Sequence, residues 1–234
     1  MKQIDDITWQ SNDGLITFKN MDCNEFMAGC KENEFDLIHN DPPYGLERFK
    51  KGGSHVNKYG SENGSWNNEK PSGDMFNEMF RVSKKQIIWG GNNFELPTSE
   101  YFIIWQKSNA LNFSFAMCEQ AWTNIKKPAK LFTFFIVSES ESRIHPTQKP
   151  IELYCWILDN YTKPTDTILD CFGGSMSHAI AAHMKRRKLT IIEIDSEYFA
   201  SALLRFSEYE QKVEDIKEFG YAKTKINAQN PVLF

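Results

Sequence analysis

The sequence predicts an α/β fold, a doubly wound and mostly parallel sheet with helices on both faces. Three observations carry this. Short apolar runs alternate along the chain with stretches of helical periodicity, the pattern of repeated β–α units. Two of those runs, at 35–39 and 167–170, stop in a proline-rich or glycine-rich corner, as strands do at the ligand-binding edge of open α/β sheets. Hydrophobic residues make up 41% of 234 residues, including 18 Phe and 6 Trp, so one sheet can be covered on both faces. A single domain over residues 1–234 is expected.

Taken in order, residues 14–19 form a first strand, and 20–23 lead into a helix with Phe26 and Met27 on its apolar side. The run 35–39 is a buried strand ending at Asn40-Asp41-Pro42-Pro43-Tyr44. Residues 46–73 have almost no apolar periodicity. They carry five glycines together with Arg48, Lys50, Lys51, Lys58 and Lys70. Loops of that length inside a domain are usually functional, and this one is expected to be a mobile flap contacting the target. Met75, Phe76, Met79, Phe80 and Val82 repeat at helical spacing. Strands follow at 86–89, 101–105, 118–125 and 131–137, with 107–144 available as a small recognition region. Ile151, Tyr154, Ile157, Leu158 and Tyr161 mark a helix that Pro164 stops. A strand at 167–170, a Gly-Gly turn, a helix over 179–183, a strand at 189–194 and a long last helix complete the pattern. Ser196 is the expected N-cap of that last helix, and roughly 220–234 reads as a loose tail.

The chain carries 31 acidic against 27 basic residues, a net charge of −4, so binding to nucleic acid must use a local basic patch. Two are in view: the lysines and arginine of the 46–73 loop, and Lys126, Lys127 and Lys130. Cys23, Cys30, Cys118, Cys155 and Cys171 are odd in number and lack metal or redox spacing, which suits reduced thiols in a cytoplasmic protein. No apolar run has the length of a membrane span, and residues 1–6 do not form a signal peptide. No metal site is expected. His178 and His183 read as packing or surface residues.

Chemistry concentrates at two corners. In Asp41-Pro42-Pro43-Tyr44 neither proline can donate to a sheet ladder, so the chain leaves the strand as a stiff extended turn. The turn offers a carboxylate, free carbonyls and an aromatic ring. Together these can stack on a planar ring while accepting hydrogen bonds from its exocyclic amine. In Asp170-Cys171-Phe172-Gly173-Gly174-Ser175 a Gly-Gly turn brings backbone close to a ligand at a helix start. About twenty residues later a strand ends in Glu193 and Asp195, placed to bind ribose hydroxyls. A ligand with an amino-acid end and a nucleoside end fits that pair of features.

These motifs, with His145-Pro146-Thr147-Gln148-Lys149-Pro150 between them, resemble the amino-methylating DNA methyltransferases, in the motif order of their β subclass. The resemblance covers roughly residues 14–210. It implies the class I methyltransferase fold, with seven strands of which one is antiparallel. It also implies S-adenosylmethionine as cofactor, double-stranded DNA as substrate and flipping of the target base. Asp41, Pro42, Pro43 and Tyr44 become the catalytic corner, and Asp in first place is the family's usual form for adenine N6, with Ser for cytosine N4. On the cofactor side the resemblance places Asp22, with Cys23 after it, near the adenine ring and Glu193 on the ribose. Asp170, Phe172, Gly173 and Ser175 surround the methionine moiety, with Thr147 and Lys149 closing over that end.

Two departures from the family pattern set further expectations. The cofactor turn usually reads Gly-Ser-Gly-Thr and here reads Gly174-Ser175-Met176-Ser177, so Met176 is expected to strain or crowd the site if a positive φ is required. The recognition region is small, which points to a homodimer or a partner subunit. The alternatives are methylation of cytosine N4 or another amine, and a catalytically silent cofactor-binding subunit.

Overall fold

The computed structural model describes residues 1–45, 70–107, 116–135 and 148–219. Its strands are β1 (Lys2–Asp5), β2 (Thr8–Gln10), β3 (Ile16–Asn20), β4 (Leu37–Asn40), β5 (Gln86–Trp89), β6 (Phe102–Gln106), β7 (Cys118–Thr123), β8 (Lys130–Thr133), β9 (Thr167–Asp170) and β10 (Lys188–Glu193). The helices are α1 (Cys23–Ala28), α2 (Gly73–Val82), α3 (Ile151–Tyr161), α4 (Ser177–Met184) and α5 (Ser196–Phe219), with a single 3₁₀ turn at Gly91–Asn93.

The strands form one sheet in the order β1-β2-β3-β10-β9-β4-β5-β7-β6-β8. Strands β3, β10, β9, β4 and β5 are parallel neighbours, and β7 runs antiparallel between β5 and β6. The seven strands from β3 to β6 correspond to the seven the resemblance implied, with one antiparallel, and β8 corresponds to the run expected at 131–137. The described sheet has ten because an antiparallel β1–β2 hairpin extends one edge and β8 pairs parallel to β6 at the other. Strand β1 is exposed along its whole length, so it has no buried face to leave a pattern in the sequence.

Neighbouring residues on the central strands point to opposite faces. Leu37, Ile87, Ile168 and Ile191 enter a core with α3, α4 and α5, where Phe206 meets Phe18 edge-on at 4.8 Å. Ile38, Ile88, Leu169 and Ile192 enter a second core with Met27, Phe76 and Met79 of α1 and α2. Burial on both faces explains why β4 and β5 read as continuous apolar runs.

Connections diverge between β4 and β9. From β4 the chain passes through α2 to β5 on one side, and from β9 through α4 to β10 on the other. This is a topological switch point, and the crevice beyond the carboxyl ends of those two strands is where such sheets bind ligands.

Several helix ends differ from expectation. Asp195, not Ser196, caps α5: its Oδ1 accepts from the Glu197 and Tyr198 amides at 2.9 and 3.0 Å, while the Ser196 hydroxyl donates to Asn20. Helix α2 begins at Gly73 with Ser72 as its cap, which trims the 46–73 loop; residues 46–69 lie outside the described residues. The described part of 107–144 supplies β7 and β8 to the main sheet. Among the described residues no helix is long and apolar enough to cross a membrane.

Met176 occupies the left-handed region, φ 54°, at the N-cap of α4, so the positive φ anticipated at the missing glycine is real. Its side chain does not crowd a ligand. It is fully buried in the α3–α4–α5 core. The cost is backbone strain of about 1–3 kcal/mol, offset by burial of a large apolar side chain. Replacing Met176 by Gly relieves the strain but empties that space, and truncating a buried Met costs about 2–5 kcal/mol. Met176→Gly is therefore expected to lower stability by roughly 1–3 kcal/mol in urea unfolding. A stabilised variant would show that strain outweighs packing at this turn.

Candidate active site

Strand β4 is buried at every residue and ends where Pro42 and Pro43 remove the ladder donors. Its last residue, Asn40, is fully buried and accepts a hydrogen bond from the Cys171 amide through Oδ1 at 2.9 Å. That bond ties the proline corner to the turn after β9, so the two chemistry-bearing corners are fixed to each other. The Tyr44 hydroxyl donates to Asp41 Oδ1 at 2.6 Å. Its ring lies on the backbone of Gly90, where a Cβ would fall 2.3 Å from the ring, and Gly90 itself has φ +65°. Phe94 meets the same ring edge-on at 6.2 Å.

Behind Asp41 lies a charge cluster. Lys149, only 4% exposed, places Nζ 2.5 Å from Asp41 Oδ2 and 3.1 Å from Glu119 Oε2 on β7. Glu119 is also held by Lys107 at 2.8 Å. Burial raises the Asp41 carboxyl above the usual range; Lys149 pulls it back and Glu119 pushes it up again. Burial also opposes ionisation of Glu119, yet the Lys149 and Lys107 ammoniums bring its pKa down to about 2. Desolvation works against the Lys149 charge, and the two carboxylates overcome it and hold its pKa up. His39 beneath the cluster accepts from the Trp89 indole at 2.9 Å through Nε2, and burial keeps it neutral by pushing its pKa well down.

The glycine turn after β9 is built from main-chain bonds. Gly173 N donates to Ile192 O at 2.7 Å and Gly174 N to Glu193 Oε2 at 2.7 Å, while Glu193 Oε1 accepts from the Asp195 amide at 2.9 Å. Burial raises the Glu193 carboxyl despite those two bonds. Asp170 accepts from Phe172 N at 2.9 Å through Oδ1 and pairs with His178 Nδ1 at 2.9 Å through Oδ2. His178, expected as packing or surface, is buried and stacks on Tyr154 at 4.7 Å. Arg205 of α5 closes the turn by donating to Ser175 O at 2.7 Å and Ser177 Oγ at 3.1 Å, and burial lowers its pKa to about 10.

Both corners open on one cavity of about 400 Å³. Asp41, Pro43, Lys149, Phe172, Gly173, Ser175 and Glu193 line it, as do Tyr154, Ile194 and Tyr198, which the sequence did not mark as site residues, whereas Tyr44 and Asp170 are not among the lining residues. Pro42 is buried behind it. Asp22 and Cys23 are not among the lining residues: the Asp22 carboxylate accepts from Asn24 N at 2.7 Å to cap α1, and Cys23 is buried in the α1–α2 core. Lys149 faces Asp41 and Glu119 rather than standing as a free cation over the methionine end. Thr147 and the basic residues 48–58 lie outside the described residues. The second basic patch is on the wrong edge. Strand β7 pairs Ala121 with Trp89 and Thr123 with Ile87, so Lys126, Lys127 and Lys130 emerge at the end of the sheet opposite Asp41.

Sequence reasoning missed Glu119 although it left a signal. It shares a strand face with Ala121 and Thr123, both buried, so a carboxylate there must have a cation. Gly90, just past the end of β5, was not singled out either. Its contact with Tyr44 predicts that Gly90→Ala expels the ring and breaks its bond to Asp41. Overpacking of this kind costs about 1–3 kcal/mol, read as a lowered urea midpoint. An unchanged midpoint would mean that the ring is not seated on Gly90.

Comparison with known proteins places this geometry. A family profile described as DNA methylase, for N6- and N4-methylating enzymes, matches residues 83–204, about half of the chain. The chain is 26% identical over 255 aligned residues to the Type II methyltransferase M2.MboI of Moraxella bovis, covering 86% of this chain and 90% of that protein. Among solved structures, the M1.HpyAVI–SAM complex aligns with a TM-score of 0.53 at 21% identity, over 82% of this chain and 98% of the other. The PvuII DNA methyltransferase, described as cytosine-N4-specific, aligns at 0.57 and 18% identity, over 88% and 92%. The two structures establish a shared fold. With the family profile, they identify this chain as a member of the DNA methylase family, an amino-methyltransferase of the class I fold.

Proposed function

We propose that the protein methylates the N6 amine of adenine in DNA, with S-adenosylmethionine as cofactor. The observation that carries the reading is that the Asp41 carboxylate and the Phe172–Ser175 turn face one cavity from adjacent strand ends. Adenine is favoured over cytosine by the first residue of the corner, Asp rather than Ser. Against the silent-subunit alternative stands the Met176 side chain, which is buried in the core and absent from the cavity lining.

The residues suit the cofactor. The lining carries Asp41, Glu193 and Asp195 against one lysine, an acidic environment for a ligand with sulfonium and ammonium charges. Each Glu193 oxygen accepts one main-chain N–H and retains capacity to accept from a ribose hydroxyl. Asp170, buried behind the turn and anchored by Phe172 N and His178, is proposed to add negative charge at the methionine end. Gly173 and Gly174 let the turn's backbone come close to the methionine portion. When bound, S-adenosylmethionine supplies an electrophilic methyl group.

The chain's own part is to make a poor nucleophile attack. The lone pair of an aromatic amine is delocalised into its ring. If Asp41 and the Pro42 carbonyl accept its two N–H bonds, they favour a pyramidal nitrogen with the lone pair free. Charge-assisted bonds of this kind are the strong ones, and the gain is in orientation and electrostatics. Tyr44, held flat against Gly90, would stack on the extruded base for about 1–3 kcal/mol. Residues 46–69 are proposed to contact DNA.

Tritiated methyl transfer to DNA, RNA and protein in parallel tests the reading. DNA alone should be labelled. Asp41→Ala should cut the rate roughly a hundredfold or more while cofactor affinity by calorimetry stays within about threefold. Label in RNA or protein instead of DNA, or a variant that keeps its rate, would refute it.

A further inference from the structure

The Asp41 corner as described cannot by itself explain why the carboxylate accepts a new hydrogen bond. A buried ammonium 2.5 Å away stabilises the carboxylate's charge and competes with the substrate amine for its lone pairs. The position of Glu119 resolves this. Lys149 Nζ lies 2.5 Å from Asp41, 3.1 Å from Glu119 Oε2 as a charge contact without a hydrogen bond, and 3.5 Å from the Tyr44 hydroxyl. Lys107, at the rim of the site, holds Glu119 from β6's end at 2.8 Å. Two carboxylates and two ammoniums thus form a chain Asp41–Lys149–Glu119–Lys107 that is neutral as a whole.

We infer that Glu119 is a positioning residue for methyl transfer: by sharing the buried Lys149 ammonium with Asp41, it leaves Asp41 fixed in place but with enough negative charge to accept from the substrate amine. This rests on the reading of Asp41 as the acceptor of that amine. Glu119 itself does not line the cavity, so it acts through Lys149. The other groups facing Asp41 are Tyr44 from its own corner and Tyr154 from α3, whose hydroxyl pKa burial and then Asp41 push well up. Asp170 acts on the same tyrosine, and His39 below Lys149 is neutral. None of these supplies a second carboxylate in contact with Lys149.

A purely structural role leaves the acid limb of kcat/KM where it is, whereas a role exerted through Asp41 moves that limb together with the Asp41 titration. With Glu119→Gln, Lys149 turns wholly to Asp41 and the Asp41 titration falls by roughly one pH unit. With Lys107→Gln, Glu119 loses its outer partner, claims more of Lys149, and the Asp41 titration rises. Carbon-13 NMR of carboxyl-labelled aspartates reads this without any need for activity, with the Asp41 resonance assigned by its loss in Asp41→Asn. The acid limb of kcat/KM for methyl transfer should move in the same two directions, with cofactor affinity unchanged. Asp41 midpoints that stay put in both variants, or move the same way in both, would overturn the role of Glu119. Absence of methyl transfer by the unaltered enzyme, with the NMR shifts intact, would instead overturn the proposed reaction.

Discussion

A buried lysine holds the site together. Lys149 is one of the least exposed charges in the described structure, and moving an ion of that kind out of water costs several kcal/mol even after relaxation. Contacts with Asp41 and Glu119 offset that cost, as do the faces of Trp89 and Tyr44, whose ring centroids lie 5.3 and 5.9 Å from Nζ. The dependence runs both ways. Glu119 is ionised with the Lys149 and Lys107 ammoniums beside it, and α3 starts two residues after Lys149.

A second constraint is the bond from Cys171 N to Asn40. It joins the ends of β4 and β9, the two strands from which the chain turns in opposite directions. A switch point makes a crevice in any sheet of this kind. What is particular here is that one strand contributes the group read as holding the amine and the other the turn read as holding the cofactor. A rigid side-chain bond sets the distance between them. His178 and Arg205 then stiffen the turn from the helix side, each by satisfying a group at its start or end.

Local chemistry was readable from the sequence. Prolines stop β4 whatever surrounds them, glycines open the turn after β9, and the doubly buried strands announce themselves as apolar runs. The need for a positive φ at Met176 was also readable, but the destination of its side chain was not, because that depends on the space between α3, α4 and α5. Long-range pairing was the part left unread. Glu119 is thirty residues from Lys149 and seventy-eight from Asp41, and nothing in the intervening chain reports that they meet. Asp22, assigned by resemblance, has a local role the sequence did not announce, as the cap of α1. Asp195 displaced Ser196 as the cap of α5 because its carboxylate reaches two amides of the first turn at once.

Geometry of the Asp41 corner suits an amino group on a flat ring, and the PvuII methyltransferase, described as acting on cytosine N4, has the same fold. The choice between bases therefore falls on Asp41 itself. Expression in a host free of DNA methylation, followed by mass spectrometry of the nucleosides from its genome, decides it most directly. The account predicts N6-methyladenine that disappears with Asp41→Ala. N4-methylcytosine in its place, or no modified base from an expressed and folded protein, would contradict it.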